Sequence, residues 1–408
     1  MLTGKIVLML ALASVLALPG FASQAAPADR NAWQTSMDAA AKAEAHGNLE
    51  EAEKDLKAAL NLSETSGRND QHLVQTLFKL GEVYEKEGKY EPAEPLYLRA
   101  LQIWERTLGP NNLIVAKGYT KLADLYRSEK KYINAETTYK RSLAILENSA
   151  GPNDQSLAPD LTGLAEINRA RGNYDEAERL YRRTLSIWQD SLGPEHPMVA
   201  QSLNNLASLY EAQGKDAEAE PLYLQALSIV EKSMGQNAPY ATPILNNLAD
   251  LYYNKKGYAK AEPLLVRSLA ITRKAAGWSS PDAAQVMNSL GLVYDAEAKR
   301  VQAESLYRQS LRIWEKALGP NDPNVASGLN NLAALYYAEG KYSTAEPLYK
   351  RSLNIVEHSL GPDSIEAAQS LENYAALMRK TKRAAEADKM DARAKEIRDK
   401  LPKPPDAK

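Results

Sequence analysis

In the stretch from residue 323, apolar or small side chains recur at Val325, Leu329, Leu332, Ala333 and Tyr336, one face of a helix with 3.6 residues per turn. Gly340 and Lys341 interrupt that stripe, and a second one runs through Ala345, Leu348, Tyr349, Ser352, Leu353 and Val356. Gly361 and Pro362 close it, because a glycine can take the left-handed position after a helix and a proline cannot continue one. The pattern predicts two antiparallel helices per unit. The first opens on a capping residue, sometimes with proline at the first helical position, as in Asp322-Pro323 and Ser280-Pro281. Pro95, Pro221, Pro263 and Pro347 fall early in the second helices, where each costs at most one backbone hydrogen bond.

This unit repeats. Gly67, Gly109, Gly151, Gly193, Gly235, Gly277, Gly319 and Gly361 stand 42 residues apart, and Ala93, Ala135, Ala177, Ala219, Ala261, Ala303, Ala345 and Ala387 form a second row in the same register. Gly81, Ala123, Ala165, Ala207, Ala249, Gly291, Ala333 and Ala375 are the small residues expected where the two helices of a hairpin cross. Tyrosines at 84, 126, 210, 252, 294 and 336, and at 97, 139, 181, 223, 307 and 349, are expected to fill the space between repeats as core. The prediction is an all-α, right-handed superhelical solenoid of antiparallel helix pairs. About nine hairpins, caps included, span 26–400 as one elongated domain. Residues 31–66 and the helix carrying Ala387, Met390, Ala394, Ile397 and Leu401 read as the caps, and 401–408 as a disordered tail.

Composition narrows the chemistry. There is no cysteine, so disulfides and thiolate sites are excluded, and a net charge of −2 without a basic block speaks against a nucleic-acid partner. The histidines at 46, 72, 196 and 358 form no metal-ligand pattern, and His196 and His358 sit where surface or capping roles are expected. No nucleophile elbow or phosphate-binding glycine fingerprint occurs, so no enzymatic activity, cofactor or metal is expected. At the N-terminus, Lys5, the apolar run Ile6 to Leu18, and small residues to Ala25 predict a secretory signal peptide over 1–25. Export to the periplasm or the exterior follows, with no membrane span after cleavage; the alternative reading of the same run is an uncleaved membrane anchor, for which it is shorter than the roughly 20 residues a spanning helix needs.

The motif Leu329-Asn330-Asn331-Leu332-Ala333, then Gly340-Lys341-Tyr342, then Ala345-Glu346-Pro347-Leu348-Tyr349 resembles the tetratricopeptide repeat. Within 200–233 the signature positions fall on Leu203, Leu206, Ala207, Tyr210, Ala219, Tyr223 and Ala226. The 42-residue period is similar to that of the kinesin light chain branch, and the resemblance covers about residues 30–400.

That resemblance implies a concave groove lined by the first helix of each pair. Its inward positions correspond to Asn204, Asn205, Ser208 and Glu211; then Asn246, Asn247, Asp250 and Tyr253; then Asn288 and Asp295; then Asn330, Asn331 and Tyr337. Earlier repeats place Lys79, Glu82, Lys121, Asp124, Arg127, Thr162, Glu166 and Arg169 there, so the groove is charged in its first half and amide-rich in its second. Asn204, Asn205, Asn246, Asn247, Tyr253, Asn288, Asn330, Asn331 and Tyr337 are the expected peptide-binding residues. An amide pairs with peptide backbone whatever the side-chain sequence, and a tyrosine adds apolar area with a polar tip. The expected partner is a protein or peptide segment. The other reading of the same asparagines is that they bond their own neighbours and hold the stack together. A self-associating scaffold, or an assembly factor of an envelope complex, is the alternative function, and homo-oligomerisation stays open.

Overall fold

The computed structural model describes residues 27–65 and 70–400. The expected signal peptide (1–25), the expected tail (401–408), Leu401 and Gly67 lie outside the described residues. Among the described residues there is no strand, and 18 α-helices follow one another in hairpins. The chain divides into two compact units, Met1–Pro194 and Glu195–Lys408.

The first unit holds four hairpins: α1 (Pro27–Ala45) with α2 (Leu49–Thr65), α3 (Asp70–Lys86) with α4 (Tyr90–Leu108), α5 (Leu113–Ser128) with α6 (Tyr132–Ala150), and α7 (Ala158–Ala170) with α8 (Tyr174–Leu192). The second holds five: α9 (Pro197–Ala212) with α10 (Asp216–Met234), α11 (Ala241–Asn254) with α12 (Tyr258–Ala276), α13 (Pro281–Ala296) with α14 (Arg300–Leu318), α15 (Pro323–Ala338) with α16 (Tyr342–Ser359), and α17 (Ile365–Lys380) with α18 (Ala384–Lys400). Within each unit the extensive helix contacts run between a helix and the next one or two in the chain.

Packing follows the small-residue rows. Ala93, Ala135, Ala177, Ala219, Ala261, Ala303, Ala345 and Ala387 are all fully buried. At Gly81 and Gly291 a methyl group would stand 2.7 Å and 2.6 Å from the rings of Tyr97 and Tyr307, so the tyrosine of the second helix occupies the space a larger residue would need. Both predicted tyrosine rows are core except Tyr294, which is half-buried. The first cap is pinned by Trp33, which stacks on His72 at 3.7 Å and donates its indole N–H to Thr76 Oγ1.

The starts of the first helices behave as their sequences require. Asn112, Asp322 and Ser364 each accept from a backbone N–H one to two residues inside the helix, and His196 does the same through Nδ1 to Met198. The ends of the second helices differ from expectation. The glycine row does not sit in the left-handed helical region: Gly109 and Gly319 have φ of 87° and 92° with ψ of 152° and 162°. That extended positive-φ conformation is open essentially to glycine alone. The left-handed position lies inside each hairpin turn, at Gly88, Gly172, Gly214 and Gly340, but at Lys130, Lys256, Ala298 and Lys382 in other repeats.

A recurrent clamp joins successive hairpins. Arg351 donates to Glu315 at 2.6 Å and to the Pro320 carbonyl at 3.1 Å, and Arg393 treats Glu357 and the Pro362 carbonyl in the same way. Arg183 and Arg267 repeat the arrangement, with the carbonyl of Gln236 in place of proline's for Arg267. A planar guanidinium suits this task because one fork reaches a carboxylate and a carbonyl together.

Candidate peptide-binding face

In the second unit the first helices of neighbouring hairpins touch one another directly: α9 with α11, α11 with α13, α13 with α15, and α15 with α17. They form one wall, the inner face, and the predicted site residues stand on it.

The asparagines are paired across repeats. Asn247 donates through Nδ2 to Asn204 Oδ1 at 3.0 Å, Asn331 to Asn288 Oδ1 at 3.1 Å, and Asn373 to Asn330 Oδ1 at 2.9 Å. Each bond joins residues 43 apart, so the amide facing forward from one helix meets the amide facing backward from the next. Asn204 and Asn288 are consequently buried (5% and 6% exposed), while Asn205, Asn246, Asn247, Asn330 and Asn331 are half-buried. Asn246 accepts instead from Ser268 within its own hairpin at 2.6 Å, because Ser289 stands where the next asparagine would be. The oxygens of Asn247 and Asn331 accept no hydrogen bond among the described residues. Asn373, the last rung, was missed by the sequence reading, although the 42-residue step from Asn331 leads to it.

Aromatic pairs accompany two of these rungs. Tyr253 lies 5.4 Å from Tyr258, and Tyr337 lies 5.7 Å from Tyr342; both Tyr253 and Tyr337 are half-buried. The same amide-plus-aromatic set therefore recurs two repeats on. The hairpin between them carries Asp295 and Arg300 at the corresponding positions.

The charges of the two units are handled differently. In the first, Lys79 pairs with Glu82 at 2.8 Å, Lys86 with Glu44 at 3.2 Å, and Arg127 with Glu166 at 2.5 Å and Asp124 at 3.5 Å. Tyr97 donates to Glu85 at 3.1 Å and Tyr139 to Asp124 at 2.5 Å. Burial raises the Glu85 carboxyl to about 7 despite nearby Lys121. In the second unit, helices α9, α11, α13 and α15 contain no lysine or arginine. Glu211 accepts from Tyr223 at 2.9 Å and from Asn254 at 3.5 Å. Asp250 is solvent-exposed and has no hydrogen-bond or ion-pair partner among the described residues. Protein crowded around it on the inner face, then the charge of Glu211, raises its carboxyl to about 6. Asp295 is raised too, by desolvation first, with Arg300 pulling the other way.

Among the described residues no helix is long and apolar enough to cross a membrane. No curated protein matches the chain significantly. In solved structures, the chain is similar to a Rap protein complexed with Competence and Sporulation Factor, at 17% identity, TM-score 0.58, covering 91% of this chain and 97% of that one. Apo RapI follows at 14% identity and TM-score 0.57, covering 90% and 98%. A Podosopora anserina kinesin light chain-type protein of nearly identical TPR-like repeats matches at 26% identity and TM-score 0.44, covering 50% and 97%. A sequence model of the tetratricopeptide repeat matches residues 37–103, 73–148, 157–232, 240–316, 299–358 and 324–400. Those matches cover most of the chain, in register with the observed hairpins, and the chain belongs to the tetratricopeptide repeat family.

Proposed function

We propose that this protein is an exported, non-enzymatic scaffold that holds an extended segment of a protein partner along the inner face of its second unit. One observation carries the reading: the amide-plus-tyrosine set at Asn247 and Tyr253 recurs at Asn331 and Tyr337, with side-chain oxygens uncommitted and rings half-exposed. Polar groups held at a fixed spacing by their own repeats lose little freedom when a ligand arrives, and such preorganisation favours binding. Family membership supports a protein partner, and export rests on the Lys5, Ile6–Leu18, Ala25 pattern.

The cross-repeat bonds decide which variants test the idea. Asn247 and Asn331 also support stacking, so replacing them leaves the buried oxygens of Asn204 and Asn288 unpaired, at a cost of roughly 1–3 kcal/mol each. Asn205, Tyr253 and Tyr337 carry no such cross-repeat asparagine bond. The variant Asn205→Ala/Tyr253→Ala/Tyr337→Ala is expected to keep its melting temperature within a few degrees and to lose capture of partners from the exporting compartment, read by pull-down and mass spectrometry. Unchanged capture removes the inner face as the site. N-terminal sequencing from native cells tests export: a chain retaining Met1 in the cytoplasm refutes it.

A further inference from the structure

The arginine clamp that joins successive hairpins is not made at every junction. Its carboxylate falls at Glu105, Glu147, Glu231, Glu315 and Glu357, each held by an arginine 36 residues further on. Between α8 and α10 both positions are glutamines, Gln189 and Gln225, so that junction loses the ion pair and stays neutral. Between α12 and α14 the exchange is of another kind. Arg273 stands in the carboxylate's place and Gln309 in the arginine's, which leaves a cation without its counter-charge.

Little holds this guanidinium. Arg273 makes no side-chain hydrogen bond or ion pair among the described residues, and its Nε is buried without a partner. Gln309 turns back along its own helix and donates to Ser305 at 3.1 Å. Desolvation lowers the pKa of Arg273, with no carboxylate opposing it. A second observation lies beside it. Trp278, where other junctions carry Pro320 or Pro362, is 66% exposed and stacks on the guanidinium at 3.7 Å. Stacking uses the face of the cation and leaves its in-plane N–H groups open. Lys274 on α12, and Arg312 and Lys316 on α14, are exposed and form no ion pair among the described residues. Glu231 and Glu315, one repeat before and one after Arg273, are spent on Arg267 and Arg351. Asp282, in the first turn of α13, pairs with none of these cations.

We propose that a carboxylate from an acidic segment of a protein partner completes this clamp, seated on Arg273 with an apolar neighbour against the exposed ring of Trp278. The fold itself favours a carboxylate over a phosphate, because at the equivalent junctions the guanidinium takes a glutamate. An exposed indole beside the cation suits a peptide, which carries charged and apolar side chains close together. The surface belongs to second helices and to the loop after α12. It is therefore separate from the inner face, which first helices form, and independent of the ligand bound there.

The test titrates the full chain with fluorescently labelled peptides, read by anisotropy. The peptides share one length and one leucine-containing frame, and carry glutamate, glutamine or phosphoserine at the same positions. The glutamate peptide is expected to bind about tenfold or more tighter than the glutamine peptide, with an affinity that falls as salt rises. Arg273→Gln is expected to abolish that preference, and Trp278→Ala to weaken the glutamate peptide several-fold, both without lowering the melting temperature. Arg273→Glu/Gln309→Arg rebuilds the clamp of the other junctions, and is expected to lose the glutamate peptide while melting no earlier than wild type. Asn205→Ala/Tyr253→Ala/Tyr337→Ala is expected to leave the affinity for the glutamate peptide unchanged. Equal binding of the glutamate and glutamine peptides, a preference that survives Arg273→Gln or the rebuilt clamp, or its loss in the inner-face variant overturns the proposal. Tight binding of the phosphoserine peptide alone also overturns it, and assigns the site to phosphate.

Discussion

At the scale of single residues, the most unusual group is Asp160, a fully buried carboxyl in the first turn of α7. Thr120 donates to its Oδ1 at 2.7 Å and lies 3.0 Å from Ser142, while Oδ2 has no partner. Desolvation outweighs the Ser142 and Thr120 hydrogen bonds, and together with the charge of Asp124 it raises the carboxyl to about 7. A folded-state value above the ordinary 3.8 means that its contribution to stability is complete below about 3.8 and is lost as pH rises through about 7. Asp160→Asn keeps the oxygen that Thr120 uses. It is expected to raise the melting temperature relative to wild type above pH 7 and to bring no gain near pH 3.5, as read by paired thermal melts across that range. A difference between the two proteins that does not vary with pH contradicts this account. The residue was invisible as special in the sequence, because its 42-residue equivalents are Gly118, Ser202 and Ile244, a position without a fixed polarity.

At the scale of elements, the hairpin turn and the arginine clamp set the strength of the repeat. Ala298 adopts φ of 59°, where its equivalents Gly88, Gly172, Gly214 and Gly340 have φ of 72° to 78°. The left-handed conformation costs an L-residue roughly 1–2 kcal/mol, offset in part by the freedom glycine loses on folding. Ala298→Gly is therefore expected to stabilise the protein by about 0.5–1 kcal/mol, measured by denaturant titration. A loss of stability would show that the methyl group makes a compensating contact. In the clamp, Arg351→Lys preserves charge but not the fork that reaches Glu315 and the Pro320 carbonyl together. It is expected to cost about as much as Arg351→Ala, near 1 kcal/mol for so exposed a group, whereas full rescue by lysine would reduce the clamp to simple charge attraction. The clamp was not read from sequence. Its carbonyl acceptors follow Gly319 and Gly361, and only the bend made by these residues aims them at the next hairpin.

At the scale of the molecule, contacts within each unit run only between near neighbours along the chain. Stability is then close to a sum over hairpins and their interfaces, and cooperativity weakens with length. Ile397, almost fully buried on α18, packs in a cluster with Val325, Ile355 and Leu371. Ile397→Ala is expected to remove roughly 2–5 kcal/mol from the last hairpin and to let it open ahead of the rest. Hydrogen exchange should show protection lost over α17 and α18 and retained in the first unit. Uniform loss over both units would instead mark the chain as a single cooperative body.

The sequence by itself determined the helices, their pairing and the repeat. The 3.6-residue stripes, the glycine and alanine rows and the tyrosines are local or periodic facts, and a periodic chain can bury its stripes only by stacking its units. It also placed the asparagines and tyrosines of the inner face, since they share positions with one another at steps of 42. Only the tertiary structure decided which of them are spent. Asn204 is buried because Asn247 of the following hairpin lies against it, whereas Asn205 stays half-exposed one residue away. The buried hydroxyl of Tyr307 has no partner among the described residues, whereas its equivalent Tyr223 donates to Glu211. Such outcomes turn on differences of an ångström between side chains some ten to forty residues apart in the chain, and a pattern of residue types does not carry distances of that size.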